Sequence, residues 1–114
     1  MKKKAAVIDM GTNTFHLLMI AFDNNGFEVI YQEKVPVKIG QGGINQNIIL
    51  PKAEKRGLHA LEHFHNLIKG EGISQIFAFA TSAVRNADNG LSFIRKIKQQ
   101  TGIDAQIIDG EREA

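Results

Sequence analysis

One stretch constrains this chain more than any other: Val7-Ile8-Asp9-Met10-Gly11-Thr12-Asn13-Thr14-Phe15-His16-Leu17-Leu18. An apolar run drives into a carboxylate, turns on Gly-Thr-Asn-Thr, and leaves as a second apolar run. That pattern predicts two strands joined by a tight loop, with Asp9 at its edge. Gly11 lets the backbone turn sharply and come close to a ligand. Thr12, Asn13 and Thr14 add short side-chain donors beside bare backbone N–H groups. Such a concavity suits an oxyanion such as phosphate, and Asp9 suits a hard cation such as Mg²⁺ beside it. A polar hairpin turn is the competing reading, and the stretch alone does not separate the two.

The rest of the composition narrows the class. A chain of 114 residues with 43% apolar content has room for one domain with a modest core. The formal charge of +2 comes from Lys2, Lys3 and Lys4; without them eleven Lys/Arg face twelve Asp/Glu. The basic balance is thus a terminal tail and not a nucleic-acid-binding face. With no cysteine, disulfides and thiol catalysis are excluded, which fits a cytoplasmic protein. Asp9 interrupts the first apolar run too early for a signal peptide, and the run from Phe15 to Phe22 is far too short to span a bilayer.

Along the chain, residues 5–8, 15–22 and 27–39 read as strands, the first buried on both faces. Asp23-Asn24-Asn25-Gly26 forms the second turn, where Asn and Gly accept positive φ. Phe27, Val29 and Tyr31 alternate against Glu28, Ile30 and Gln32, and Pro36 places this third strand at an edge or bends it away. Gly40-Gln41-Gly42-Gly43 opens a connection reaching to Pro51. A helix from Pro51 to about Gly70 buries Leu58, Leu61, Phe64, His65 and Ile68. A strand at Ile76–Ala80, a helix from Asp88 or Asn89 to Gly102, and a strand at Ala105–Ile108 follow. The order βββαβαβ calls for an α/β fold with a mixed sheet and packed helices, the ribonuclease-H-like arrangement of the actin-like ATPase superfamily.

Three segments bear on chemistry besides the opening loop. His59-Ala60-Leu61-Glu62-His63 matches the H-x-x-E-H pattern of a zinc protease class, but both histidines fall opposite the apolar stripe, so a solvated face is the better reading. Ala80-Thr81-Ser82-Ala83-Val84-Arg85-Asn86-Ala87 follows a buried strand, offering the Thr81 and Ser82 hydroxyls and a guanidinium suited to phosphate. Its bland alternative is a helix start whose Arg85 pairs a neighbouring carboxylate. Gly110-Glu111-Arg112-Glu113-Ala114 also follows a strand, where a carboxylate can orient or deprotonate water; a charged surface turn is the alternative.

Together, Asp9 to Leu18, Ala80 to Ala87 and Gly110 to Ala114 resemble the exopolyphosphatase and guanosine pentaphosphate phosphohydrolase family, in order and approximate spacing. Lys38-Ile39-Gly40-Gln41-Gly42 resembles its linking loop. The resemblance implies an actin-like ATPase fold with two domains across a cleft, and release of terminal orthophosphate from inorganic polyphosphate or guanosine pentaphosphate with Mg²⁺. By the family's pattern Gly11, Thr12, Asn13 and Thr14 form the first phosphate loop, and Ser82 is a further phosphate contact. Asp9 helps hold the metal, Arg85 contacts the transferring phosphoryl group, and Glu113 positions or activates the attacking water. Arg112 departs from the family's paired acidic residues. A second glycine-rich phosphate loop and a partner domain are expected further along a longer protein. Residues 1–114 then form an incomplete N-terminal domain, inactive alone. Expected partners are the phosphorylated substrate, with no nucleic acid and no membrane; a homodimer is an open option for the full-length form. A sugar or small-molecule kinase of the same superfamily, or a non-catalytic phosphate sensor, are the alternatives.

Overall fold

β1 (Lys3–Met10) forms where the sequence runs apolar into Asp9, and its side chains alternate between the two faces of a sheet. In the computed structural model, which describes residues 2–40 and 47–108, Ala6, Ile8 and Met10 are buried, Val7 is half-buried and Asp9 is exposed. The expectation of a strand buried on both faces holds at Ala5, buried on the side opposite Ala6, and weakens at half-buried Val7, while Ala6, Ile8 and Met10 join the core under the helices. β2 (Thr14–Asp23) returns antiparallel, putting Phe15, Leu17 and Met19 on the same buried side.

The turn into β3 (Gly26–Pro36) is closed by Asp23, whose carboxylate accepts the Asn25 N–H at 2.8 Å. Gly26 alone supplies the positive φ, at 134°; neither asparagine does. β3 is an edge strand, as Pro36 suggests, but its alternation breaks. Met19 pairs Tyr31 while Ile20 pairs Val29, leaving Ile30 as the extra residue of a bulge. Tyr31 therefore shares the helix side with Met19, whereas Val29 and Phe27 share the opposite side with Ile20 and Phe22.

α1 (Pro51–Gly70) starts on its proline and buries Leu58, Leu61, Phe64 and Ile68 of the face its spacing predicts, while His65, expected with them, is only half-buried. The left-handed residue that ends the turn is Gly72, φ 70°, and not Gly70. β4 (Ile76–Ala80) leads into a short helix, α2 (Ser82–Asn86), which the expected order βββαβαβ lacks. α3 (Gly90–Thr101) and β5 (Ala105–Ile107) complete the fold. Asn89 precedes α3 but does not cap it with its side chain. The amide instead grips the backbone of one residue on both sides, accepting the Ile49 N–H at 2.8 Å and donating to the Ile49 carbonyl at 3.0 Å.

The strands lie in the order β3-β2-β1-β4-β5, with β1 antiparallel to β2, β2 to β3, and the β1, β4 and β5 neighbours parallel. Ile8, Leu17, Phe64, Phe93 and Ile97 meet in one core between sheet and helices. Gly57 makes close approach possible there, since a Cβ would stand 2.8 Å from Phe93 Cζ and 3.2 Å from Ile39 Cδ1. On the other face Phe27 and Phe77 stay 71% and 50% exposed, leaving apolar surface uncovered by the described residues.

A polar cluster ties the β3 edge to α1. Glu33 accepts from the Tyr31 hydroxyl and meets His63 Nε2 at 2.9 Å. The Tyr31 bond, then His63, hold the Glu33 carboxyl below the ordinary range. A depressed carboxylate stabilises the fold above its ordinary pKa, and that contribution is lost as pH falls through the lowered value. Glu33→Gln is expected to flatten the acid limb of stability from about pH 5 downward. Urea midpoints across that range check this; parallel acid limbs in the two proteins would contradict it.

Candidate active site

Three parallel strands end in one line. Met10 pairs Ala80, and Ala80 pairs Ile107, so the segments beginning at Gly11, Thr81 and Ile108 leave the same edge of the sheet. The line is stitched: the Thr81 N–H and hydroxyl both donate to the Met10 carbonyl, at 3.3 and 3.1 Å. The Ile108 N–H donates to the Ala80 carbonyl at 3.1 Å. Carboxyl ends of neighbouring parallel strands are where open α/β sheets place ligands.

The opening loop sits on this edge. The Gly11 N–H donates to the Thr14 carbonyl at 3.1 Å and so is consumed in closing the turn. A Cβ on Gly11 would stand 3.0 Å from that same carbonyl oxygen. Behind the loop, the Val37 and Lys38 N–H groups both donate to the Asn13 carbonyl at 2.9 Å, and the Ile39 N–H to the Thr12 carbonyl at 3.0 Å. Each peptide is planar and trans, so an N–H points opposite to the carbonyl of its own unit. With the Thr12 and Asn13 carbonyls turned to residues 37–39, the N–H groups of Asn13 and Thr14 face away from them. Among the described residues the Thr12 and Asn13 N–H groups meet no backbone acceptor.

The second segment meets the first through side chains. Thr12 Oγ1 and Ser82 Oγ lie 3.1 Å apart and share a hydrogen bond. A cavity of about 180 Å³ opens beside them, lined among others by Ile39, Gly40, Ile49 and Ala87. Arg85 lies one turn further along α2 and donates through Nη1 to the Ile108 carbonyl at 2.8 Å. The guanidinium therefore reaches the segment that leads toward Glu113.

Asp9 lies in the last row before the edge, paired with His16 of β2 and Phe79 of β4, and projects from the face that the helices leave open. Its carboxylate forms no salt bridge among the described residues. The neighbouring His16 buries Nε2 without a hydrogen-bond partner there. Glu113, Arg112, Gln41 and Gly42 lie outside the described residues. His59 and His63 are exposed on α1, with His63 engaged by Glu33. Among the described residues no three His, Asp or Glu side chains gather as a metal cluster, and no helix is long and apolar enough to cross a membrane.

The role of residues 37–39, expected as the end of the third strand and the start of a linking loop, escapes sequence reading: β3 ends at Pro36, and backbone groups that any residue type supplies carry the contacts to the first loop. Thr81, read as a ligand hydroxyl, spends its hydroxyl on Met10. These are positional facts that only the fold shows.

Similar proteins share this frame. Exopolyphosphatase 1 of Mycobacterium tuberculosis is 26% identical over 112 residues, covering 97% of this chain and 33% of that protein. The crystal structure of an exopolyphosphatase from Cytophaga hutchinsonii superposes with a TM-score of 0.94 at 39% identity, over 97% of this chain and 36% of that one. The Aquifex aeolicus Ppx/GppA family member superposes equally well, TM-score 0.94, at 20% identity over 99% of this chain and 37% of that one. The chain thus spans about a third of the length of these relatives. A sequence profile described as the Ppx/GppA phosphatase family matches residues 19–114, and on that match the chain belongs to the Ppx/GppA phosphatase family.

Proposed function

We propose that the full-length protein releases terminal orthophosphate from inorganic polyphosphate or guanosine pentaphosphate by attack of water, and that residues 1–114 supply one wall of that site. The observation that carries this is the shared edge. Outward N–H groups of the first loop, the Thr12–Ser82 hydroxyl pair and Arg85 stand on neighbouring strand ends. Phosphoryl transfer runs largely on positioning and charge stabilisation, which is what such donors provide.

Each residue then has a task. Asn13 and Thr14 donate backbone N–H groups to phosphate oxygens, while Thr12 and Ser82 contribute hydroxyls beside them. Gly11 keeps the turn tight enough for the chain to approach the phosphate. Arg85 stabilises charge on the transferring phosphoryl group, and Glu113 orients or deprotonates the water. Asp9 fits Mg²⁺: a single exposed carboxylate beside a phosphate loop suits an ion that completes its shell with phosphate oxygens and waters. When bound, Mg²⁺ would neutralise the charge of the phosphate chain. The protein works in the cytoplasm on this reading, and the isolated 114 residues are inactive because the opposite phosphate-binding wall is absent from them.

Phosphate release from polyphosphate and from guanosine pentaphosphate by the full-length protein, with Mg²⁺ and with chelator, tests this. Release from either substrate that chelator abolishes is the expected result. Release from neither, with transfer from ATP to a small acceptor instead, would favour a kinase. The isolated chain is expected to release none; steady release by it would show that one wall suffices.

A further inference from the structure

The first loop faces outward because residues 37–39 hold its carbonyls, so what holds residues 37–39 matters. Lys38 sits in the left-handed region, φ 51°, an uncommon conformation for a side chain of this kind. Two successive N–H groups, of Val37 and Lys38, converge on the one Asn13 carbonyl at 2.9 Å each, and the twist at Lys38 turns the next, of Ile39, to the Thr12 carbonyl at 3.0 Å. Consecutive N–H groups gathered this way form a nest, here occupied by a carbonyl oxygen of the loop. The outward sides of the same two residues are gripped from α1. Arg56 Nε donates to the Val37 carbonyl at 2.7 Å, and Arg56 Nη2 to the Lys38 carbonyl at 3.1 Å.

We infer that Arg56 is a positioning residue for the first phosphate loop, acting through the backbone of Val37 and Lys38. One planar fork spans two successive carbonyls and so fixes the twist at Lys38; each carbonyl is trans to the N–H of its own peptide unit, so the fork also aims the Lys38 N–H at Asn13 and the Ile39 N–H at Thr12. The nest fixes the Asn13 carbonyl, and peptide planarity then fixes the direction of the Thr14 N–H. The close approach at Gly57, next in sequence, brings α1 within reach, since a Cβ there would stand 3.2 Å from Ile39 Cδ1. A lysine at position 56 offers a single ammonium and no planar fork for two carbonyls. As a positioning residue Arg56 sets where the donors point.

The inference rests on the phosphate-loop reading, so the test separates the two. In the full-length protein, Arg56→Ala is expected to lower kcat by about tenfold to a hundredfold, the usual penalty of small misplacement, with a smaller change in KM. Amide exchange at Val37, Lys38 and Ile39 should quicken selectively, while protection of the α3 amides stays as in the parent. Added methylguanidinium should recover part of the lost turnover in Arg56→Ala and leave the parent unchanged, and Arg56→Lys should recover less than half. Unchanged turnover and exchange would overturn the inference. So would a loss of turnover matched by uniformly faster exchange across the core, which marks a structural role only. Asn13→Pro, which deletes one outward N–H, tests the loop itself. If Asn13→Pro turns over normally, it is the phosphate-loop reading that falls.

Discussion

Gly90→Ala is expected to destabilise the protein by about 3 kcal/mol or more, although the same change in an open helix would stabilise it. A Cβ at this position would stand 2.1 Å from the Val84 carbonyl oxygen and 3.2 Å from its carbon. Both are backbone atoms, so no side-chain rotation relieves the clash. The first turn of α3 is seated on the last turn of α2, with the Gly90 N–H donating to Ala87 at 3.1 Å and the Ala87 N–H to Val84 at 3.3 Å. Admitting a methyl group means moving α2 or unwinding the start of α3. Either movement shifts Arg85, the residue after Val84, so phosphate release by the full-length protein should fall along with stability. Denaturant midpoints check the first effect. A midpoint within about 0.5 kcal/mol of the parent, the ordinary range for surface substitutions, would show that the contact relaxes at little cost.

Arg85→Ala in the full-length protein is expected to lower the single-turnover rate by about a thousandfold, the low end for arginines that stabilise a phosphoryl transition state. Two losses combine. The guanidinium no longer stabilises charge on the phosphoryl group, and the 2.8 Å bond to the Ile108 carbonyl disappears. Arg85→Lys separates them in part, since it keeps a positive charge but not the planar fork. Lysine is expected to restore less than a tenth of the rate. A loss below about tenfold for alanine would place Arg85 among the residues that hold β5 and outside the chemistry.

Much of this fold was legible because its elements announce themselves locally. The spacing of Leu58, Leu61, Phe64 and Ile68 marks α1, and Pro51 marks its start. The apolar run at Ile76–Ala80 marks β4 with both ends correct. Local signals failed where a distant partner intervened. Asn89 is a good capping residue by type, yet Ile49, forty positions earlier, takes its side chain. The alternation at Phe27, Val29 and Tyr31 reads as one face, but the bulge at Ile30 divides it between two. The short α2 carries no periodic pattern, since five residues make barely more than one turn.

The candidate site divides the same way. Asp9, Gly11, Ser82 and Arg85 could be named from sequence because their side chains, or the lack of one, suit phosphate chemistry. Sequence alone also determined the order of every element but α2, and the family resemblance, through short-range periodicity and residue type. Only the tertiary structure decided which way the loop faces. That depends on the Thr12 and Asn13 carbonyls meeting N–H groups of residues 37–39, and on Arg56 holding those residues from a helix. Backbone donors are nearly the same for every residue type, so their pairing leaves no mark in the sequence until the chain has folded.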